Sequence, residues 1–343
     1  MRKETRIAFN DYIDTLAKLN DVPSAAEKFT VDPSVQQKLE TRMQESTGFL
    51  GMINVIGVNE QQGEKIGLGV GGPVAGTTDT GTTDRATSDI STLDQNGYVC
   101  TQTNFDTHIT YAKLDAWAKF PDFQTRLRDA ILTRQALDRI MIGFNGTSRA
   151  ATSNKVTNPL LQDVNKGWLQ KYREFAPARV MDEVVALSGA INIGDAGDYK
   201  TLDALVFDMV NNLIEPWYQE DTELVAICGR ALLADKYFPI VNATQAPTEQ
   251  LAGQIIMSQK RLGNLPAVRV PFFPPNAIMV TRLDNLSLYW QEGARRRTVV
   301  DNAKRDRIEN YESSNDAYVV EDYGCGAVAE NIVFEEPVEG GGA

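Results

Sequence analysis

Few residues in this chain have both the type and the spacing to do chemistry. Gly67, Gly69 and Gly72 stand in the Gly-x-Gly-x-x-Gly order of a dinucleotide-binding turn, with Asp89 near the distance of a ribose ligand. That chemistry needs a helix N-terminus directly after the glycines to hold the pyrophosphate. Pro73 and a threonine-rich run follow instead, so the glycines read better as part of an extended arm. His108 is the only histidine. Paired with Cys100 or a serine it would make a base and its nucleophile, yet it falls on the polar side of an alternating segment. One histidine and three scattered cysteines (Cys100, Cys228, Cys325) do not supply a Cys/His zinc site. Glu220-Asp221 and Glu321-Asp322 are adjacent carboxylates of the kind used in acid–base catalysis, but at element edges such pairs are expected to be simply hydrated. Arg295, Arg296 and Arg297, with Lys304, Arg305 and Arg307, would suit a phosphate. Asp301, Asp306, Glu309 and Glu312 are interleaved with them, which favours a salt-bridged subunit contact. There is no GxxxxGK[ST] loop, HExxH pair or GxSxG elbow. No catalytic residue, cofactor or metal is expected.

The composition narrows the classes further. At 343 residues the chain is long enough for two domains or one elaborated one. Its net charge of −12 argues against a surface built to grip nucleic acid, which rests on Lys and Arg neutralising phosphates. The start, MRKETRIAFNDYID, lacks the apolar stretch of a signal peptide, and no apolar run suits a membrane span. Unpaired cysteines point to a reducing compartment, so the sequons at Asn145, Asn242 and Asn285 are expected to be chance matches.

The most informative segment carries no catalytic group at all. Between Leu50 and Gly97 there is no aromatic residue, and from Gln61 the chain becomes a Gly/Thr-rich ribbon. Such a ribbon cannot bury enough apolar area to offset the entropy of fixing its own backbone. It is therefore expected to order by lying on another copy of the chain. Ile66, Leu68 and Val70 alternate with glycines, predicting a strand with one bare face, returned by a strand over Phe105–Tyr111 in a long hairpin.

Around the ribbon, residues 1–30 read as a short helical arm with few large apolar groups to tie it down, and Ser34–Phe49 as a helix. A long helix spans Phe123–Ile142. Its stripe is Phe123, Leu127, Ala130, Ile131, Leu137 and Met141, with Arg126, Arg128, Arg134 and Arg139 lying elsewhere. Leu202 through Trp217 recur at helical spacing, predicting a core helix over Thr201–Trp217. Strands are expected at Leu224–Cys228, Ala267–Val270, Ile278–Thr281, Leu286–Trp290, Ala317–Val320 and Ala327–Phe334, before a flexible acidic tail over residues 336–343. Helices and strands mix without βαβ regularity, so the class is α+β.

Longer strings carry a specific resemblance. Met43-Gln44-Glu45-Ser46, GEKIGLGV (63–70), LQDV (161–164), GWLQKYR (167–173), APARVM (176–181), NNLIEPWYQED (211–221), LLADKYFPIVN (232–242), SQKRLGNLPAVRVPFFP (258–274) and RIENYESSNDAYVVEDY (307–323) resemble, in order and spacing, the P2-family major capsid proteins of tailed phages. The resemblance implies the Hong Kong 97-type capsid fold. Its parts would be an N-terminal arm over 1–50, an extended loop over 51–105 and a peripheral domain over 106–197 and 316–335. A spine helix would run over 123–142, and an axial domain over 198–315.

It also implies hexamers and pentamers in an icosahedral head enclosing double-stranded DNA without specific binding. A scaffolding protein, a maturation protease and a portal would be partners, and the shell would be built in the bacterial cytoplasm. The loop residues Lys65, Ile66, Gly67, Leu68, Gly69, Val70, Gly71 and Gly72 would form the assembly arm. The cleavage region would lie around Lys28, Phe29, Thr30 and Val31. Lys65 is the ribbon's lysine, a conceivable donor for a covalent cross-link that is not expected to form. Two alternatives are a nucleotide-dependent enzyme using Gly67–Gly72, and a tail tube or sheath subunit.

Overall fold

The computed structural model describes residues 1–65, 75–87, 97–117, 123–234, 236 and 261–334. The strand expected over Ile66–Val70, the Gly67–Gly72 run, Asp89, Asn242 and the tail after Phe334 lie outside the described residues.

The arm is a helix, α1 (Lys3–Leu19), then a two-residue strand, β1 (Phe29–Thr30). Pro33 opens α2 (Pro33–Glu45), and the Asp32 side chain caps it by accepting the Ser34 N–H at 2.8 Å. Next come β2 (Asn54–Val58), β3 (Gln62–Gly63), β4 (Tyr98–Val99), β5 (Thr101–Asn104), β6 (Thr107–Thr110) and α3 (Tyr111–Trp117). The long helix α4 (Phe123–Asn145) covers about 35 Å. After it follow α5 (Trp168–Phe175), β7 (Val180–Met181), β8 (Ile191–Ile193), α6 (Leu202–Leu213) and α7 (Pro216–Gln219). The remaining strands are β9 (Leu224–Cys228), β10 (Arg261–Leu262), β11 (Leu265–Val268), β12 (Ile278–Arg282), β13 (Leu286–Gln291), β14 (Arg296–Asn302), β15 (Arg307–Val320), β16 (Gly326–Ala329) and β17 (Ile332–Phe334).

Among the described residues two large sheets form. One runs β1-β14-β15-β13-β2, with β5 and β6 also on β15; the other runs β10-β11-β9-β12-β16-β7. The second is buried on both faces. Leu224, Ala226, Cys228, Ile278, Val280, Ala327 and Ala329 face α6, in a core with Leu205, Val206 and Met209. The alternate residues Ile227, Met279 and Val328 join the other core, with Met43, Phe49, Ile140, Phe144 and Trp168. Burial on both sides explains why these strands read as continuous apolar runs rather than alternating ones.

Several expectations are corrected. The helix over Thr201–Trp217 stops at Leu213, because Ile214 is extended and Pro216 starts a new short turn; Trp217 is half exposed. The segment Phe105–Tyr111 is not one strand: it breaks between β5 and β6, and Tyr111 already begins α3. Both strands pair with β15, while the hairpin of the ribbon is made by β3 and β4. The chain leaves the six-stranded sheet for the seven-stranded one between Arg282 and Leu286, and β16 returns to the six-stranded sheet. Ala130 is exposed, whereas Leu132, Gln135, Ala136, Arg139 and Ile140 make the buried face of α4.

Candidate assembly surfaces

The arm is better anchored than its sequence implies. Leu16, Ala17, Ala25, Phe29 and Val31 form a buried cluster with Leu114, Val299 and Ile308. Phe29 lies opposite Arg297 and Thr30 opposite Arg296, so β1 extends the edge of β14. The Val31 N–H donates to the Arg295 carbonyl at 2.9 Å, and the Val299 N–H to the Ala25 carbonyl at 3.0 Å. In the Lys28–Val31 segment, Lys28 and Thr30 are exposed while Phe29 and Val31 are buried. The packing is incomplete, however. A hollow of about 380 Å³ remains between the arm and the sheet, lined in part by Phe9, Tyr12, Leu114, Leu127, Ile131 and Val299.

The ribbon leaves the body at a firm base. Gln62 and Gly63 pair with Val99 and Tyr98, the Cys100 N–H donates to the Gln61 carbonyl at 2.7 Å, and Tyr98 packs edge-on against Tyr289. Lys65 Nζ sits 4.4 Å from the centroid of the Tyr323 ring, a cation–π contact within the same chain. Beyond this base, residues 75–87 have no helix or strand and every one is exposed.

The arginine cluster divides. Arg296 is exposed and Arg297 is half-buried, donating to Tyr12 Oη at 2.8 Å and Asn310 Oδ1 at 2.7 Å. Arg295 is not available as a subunit contact. It is fully buried, with Nη1 2.8 Å from Glu40 Oε1, Nε 2.8 Å from Glu312 Oε1 and Nη2 2.7 Å from Gln135 Oε1. The physical reason is that burial left Glu40 and Glu312 in need of a cation, and Arg295 supplies it within the chain.

A second buried guanidinium completes this network. Arg139 pairs bidentately with Asp316 and also with Glu40, while Ser314 Oγ donates to Asp316 Oδ1 at 3.0 Å. Two arginines and three carboxylates thus tie α2, α4, β15 and the start of β14 together. Burial works to raise the Glu312 pKa, but Arg295 and then Arg297 outweigh it and hold it at about 2. Sequence reasoning missed this network. The readable signal was Gln135 and Arg139 four residues apart within the apolar run Leu132, Ala136 and Ile140, and Glu312, Ser314 and Asp316 at strand spacing.

The other chemical candidates are dispersed. His108 is exposed on β6, opposite Glu309. The three cysteines are free and buried, and burial pushes each thiol up to about 12, away from a nucleophilic thiolate. Of the carboxylate pairs expected to be hydrated, Glu220 is exposed, whereas the other three are tied down. Asp221 accepts from Arg282 at 3.0 Å, Glu321 from Tyr289 Oη at 2.8 Å, and Asp322 from Tyr218 Oη at 2.8 Å. Among the described residues there is no cluster of His, Cys, Asp and Glu that could hold a metal ion, and no helix is long and apolar enough to cross a membrane.

The described residues thus present an anchored arm, a segment exposed over 75–87 beyond a fixed base, and a long helix laid against two sheets. Residues 8–332 match the sequence model of the phage major capsid protein, P2 family. The chain belongs to that family. It is 56% identical to the capsid protein of Escherichia phage P2, over 97% of this chain and 95% of that one. It is 44% identical to the major capsid protein of Serratia phage KSP20, over 99% of this chain and 100% of that one.

The structure superimposes on a chain of the satellite phage P4 procapsid that includes the size determination (Sid) protein. The TM-score is 0.83 and the identity 54%, covering 98% of this chain and 99% of that one. The capsid of an empty GTA particle shares the fold alone, at a TM-score of 0.54 and 14% identity, covering 84% of this chain and 90% of that one. The α+β fold is therefore the Hong Kong 97-type capsid fold. The chain is a structural major capsid protein of the virion, forming a shell from copies of itself. Neither the nucleotide-dependent enzyme nor the tail tube or sheath subunit is what these relatives describe.

Proposed function

We propose that this chain forms the hexamers and pentamers of an icosahedral phage head that encloses double-stranded DNA. The carrying observation is the whole-chain likeness to a procapsid subunit, with 98% of this chain covered at a TM-score of 0.83. Subunits would meet head-to-tail within each ring, a heterologous contact that closes by rotation. The ribbon, including Lys65 and Ile66–Gly72, would drape over a neighbour. The exposure of residues 75–87 supports this, since a segment without apolar weight gains order only on another surface. The net charge of −12 suits enclosure of DNA rather than adhesion to it.

Assembly in the bacterial cytoplasm would involve a scaffolding protein and a portal, and a protease would trim the arm near Lys28–Val31 during maturation. Because Phe29 and Thr30 are paired with β14, the protease would have to draw β1 off the sheet edge first. Of Arg295, Arg296 and Arg297, the exposed Arg296 beside β1 would be the one to meet a neighbour. The seven-stranded sheet with α4 would be the peripheral domain and the six-stranded sheet with α6 the axial one. Electron microscopy of purified assemblies tests the reading. Closed shells built of hexamers and pentamers are expected, and open helical tubes would overturn it.

A further inference from the structure

Between β7 and β8 the chain makes a loop whose tip is apolar and outward. Val184 is 45% exposed, Val185 61% and Leu187 97%. Leu187 also has a φ of 68°, in the left-handed region that disfavours any residue with a branched side chain. Gly or Asn would hold this conformation with less strain. This loop keeps a leucine in a disfavoured conformation and in water at once.

The loop is not slack. Glu183 folds back under the tip, its Oε1 accepting the Leu187 N–H at 2.9 Å and its Oε2 the Gly189 N–H at 3.0 Å. The Ser188 N–H donates to the Val185 carbonyl at 2.9 Å. Both stems are tied to the turn after β16: the Glu330 N–H donates to the Met181 carbonyl at 2.8 Å, and the Ile191 N–H to the Asn331 carbonyl at 3.1 Å. The side chain of Leu187 is thus held out by a bracket of hydrogen bonds, so little further ordering is needed when it is buried.

We propose that Leu187, with Val184 and Val185, is a preformed knob that is buried against a second copy of this chain. The inference rests on the shell reading above. The shell identifies the partner, since its subunits lie against copies of one another. Every copy carries −12, so copies meet most easily through surface without free carboxylates. The tip meets that need, because Glu183, the only charged residue from 183 to 190, is turned inward onto backbone N–H groups, and exposed Asp182 sits at the stem next to β7 rather than at the tip. Leu187, 97% exposed, gains little packing within its own subunit, and covering it would take its apolar surface out of water.

The test uses the full-length chain under conditions where the wild type forms particles. In Leu187→Gly the left-handed conformation carries no penalty, so the isolated subunit should melt at or above the wild-type temperature. Loss of a buried leucine at each contact should nevertheless cut particle yield by about tenfold or more. In a second arm, p-benzoylphenylalanine replaces Leu187 and samples are irradiated. A cross-linked dimer is expected in particles, its peptide mapping to another copy of this chain, and none in subunits at the same concentration. Wild-type particle yield from Leu187→Gly overturns the proposal, and so does a photoproduct absent from particles or joined to a different protein. A wild-type chain that forms tubes rather than shells would instead overturn the shell reading.

Discussion

Arg139 and Asp316 face each other where the long helix meets the longest strand, with Nε 3.0 Å from Oδ2 and Nη2 2.9 Å from Oδ1, each side chain 1% exposed. Arg139 is also paired with Glu40 of α2. A guanidinium with its carboxylates in such a site orients three elements at once, because its planar fork accepts only a narrow range of positions.

Removing that guanidinium should be among the most damaging single changes. Arg139→Met leaves Asp316 and one side of Glu40 buried without their cation. The expected loss is about 3–5 kcal/mol, read as a lower urea midpoint and less soluble protein. A variant within about 1 kcal/mol of wild type, the range of an exposed ion pair, would show that the pair contributes nothing beyond its desolvation.

Glu312 gives the network a pH signature. Its pKa is held at about 2, below its ordinary 4.5. A carboxylate depressed in the folded state contributes stability above its unfolded pKa and loses it as the pH falls through the folded one. Wild type should therefore exceed Glu312→Gln in stability by about 3 kcal/mol at neutral pH. The gap should narrow between pH 4.5 and about 2. Thermal melts at several pH values check this, and a gap that stays constant over that window would assign the effect to shape rather than charge.

Gly143 makes a close helix–helix approach possible. A Cβ there would lie 2.2 Å from Cζ3 of Trp168, whose indole N–H donates to the Ser287 carbonyl at 3.0 Å and fixes the ring. Gly143→Ala would gain helix propensity, yet overpacking should dominate and cost about 1–3 kcal/mol. A thermal melt is enough to decide, since a more stable variant would mean that α5 can move away freely.

The arm should be the least stable part of the fold, because it packs over the 380 Å³ hollow rather than a filled core. Amides of α1 are expected to exchange well before those of α4 in hydrogen-exchange measurements. Leu16→Ala should accelerate exchange in α1 and β1 while leaving the six-stranded sheet unchanged. Equal exchange rates in the arm and the body would mean that they unfold together.

What the sequence determined by itself was local and repetitive. Five residues at Leu224–Cys228, the helical spacing from Leu202, the long run after Phe123 and the aromatic-free ribbon each carry their signal in neighbouring positions. The strings from Met43 to Tyr323 likewise placed the chain among P2-family capsid proteins without any contact being known. The tertiary structure decided everything that depends on partners distant in the chain. Trp217 fits the helical spacing, but Pro216 and the route of the chain remove it from the core. Arg139 and Arg295 look like surface cations until Glu40, Glu312 and Asp316 are brought around them from other elements. Spacing reveals which face a side chain shares, whereas the sign of burying a charge depends on which opposite charges fold against it. Those charges come from residues up to 255 positions away.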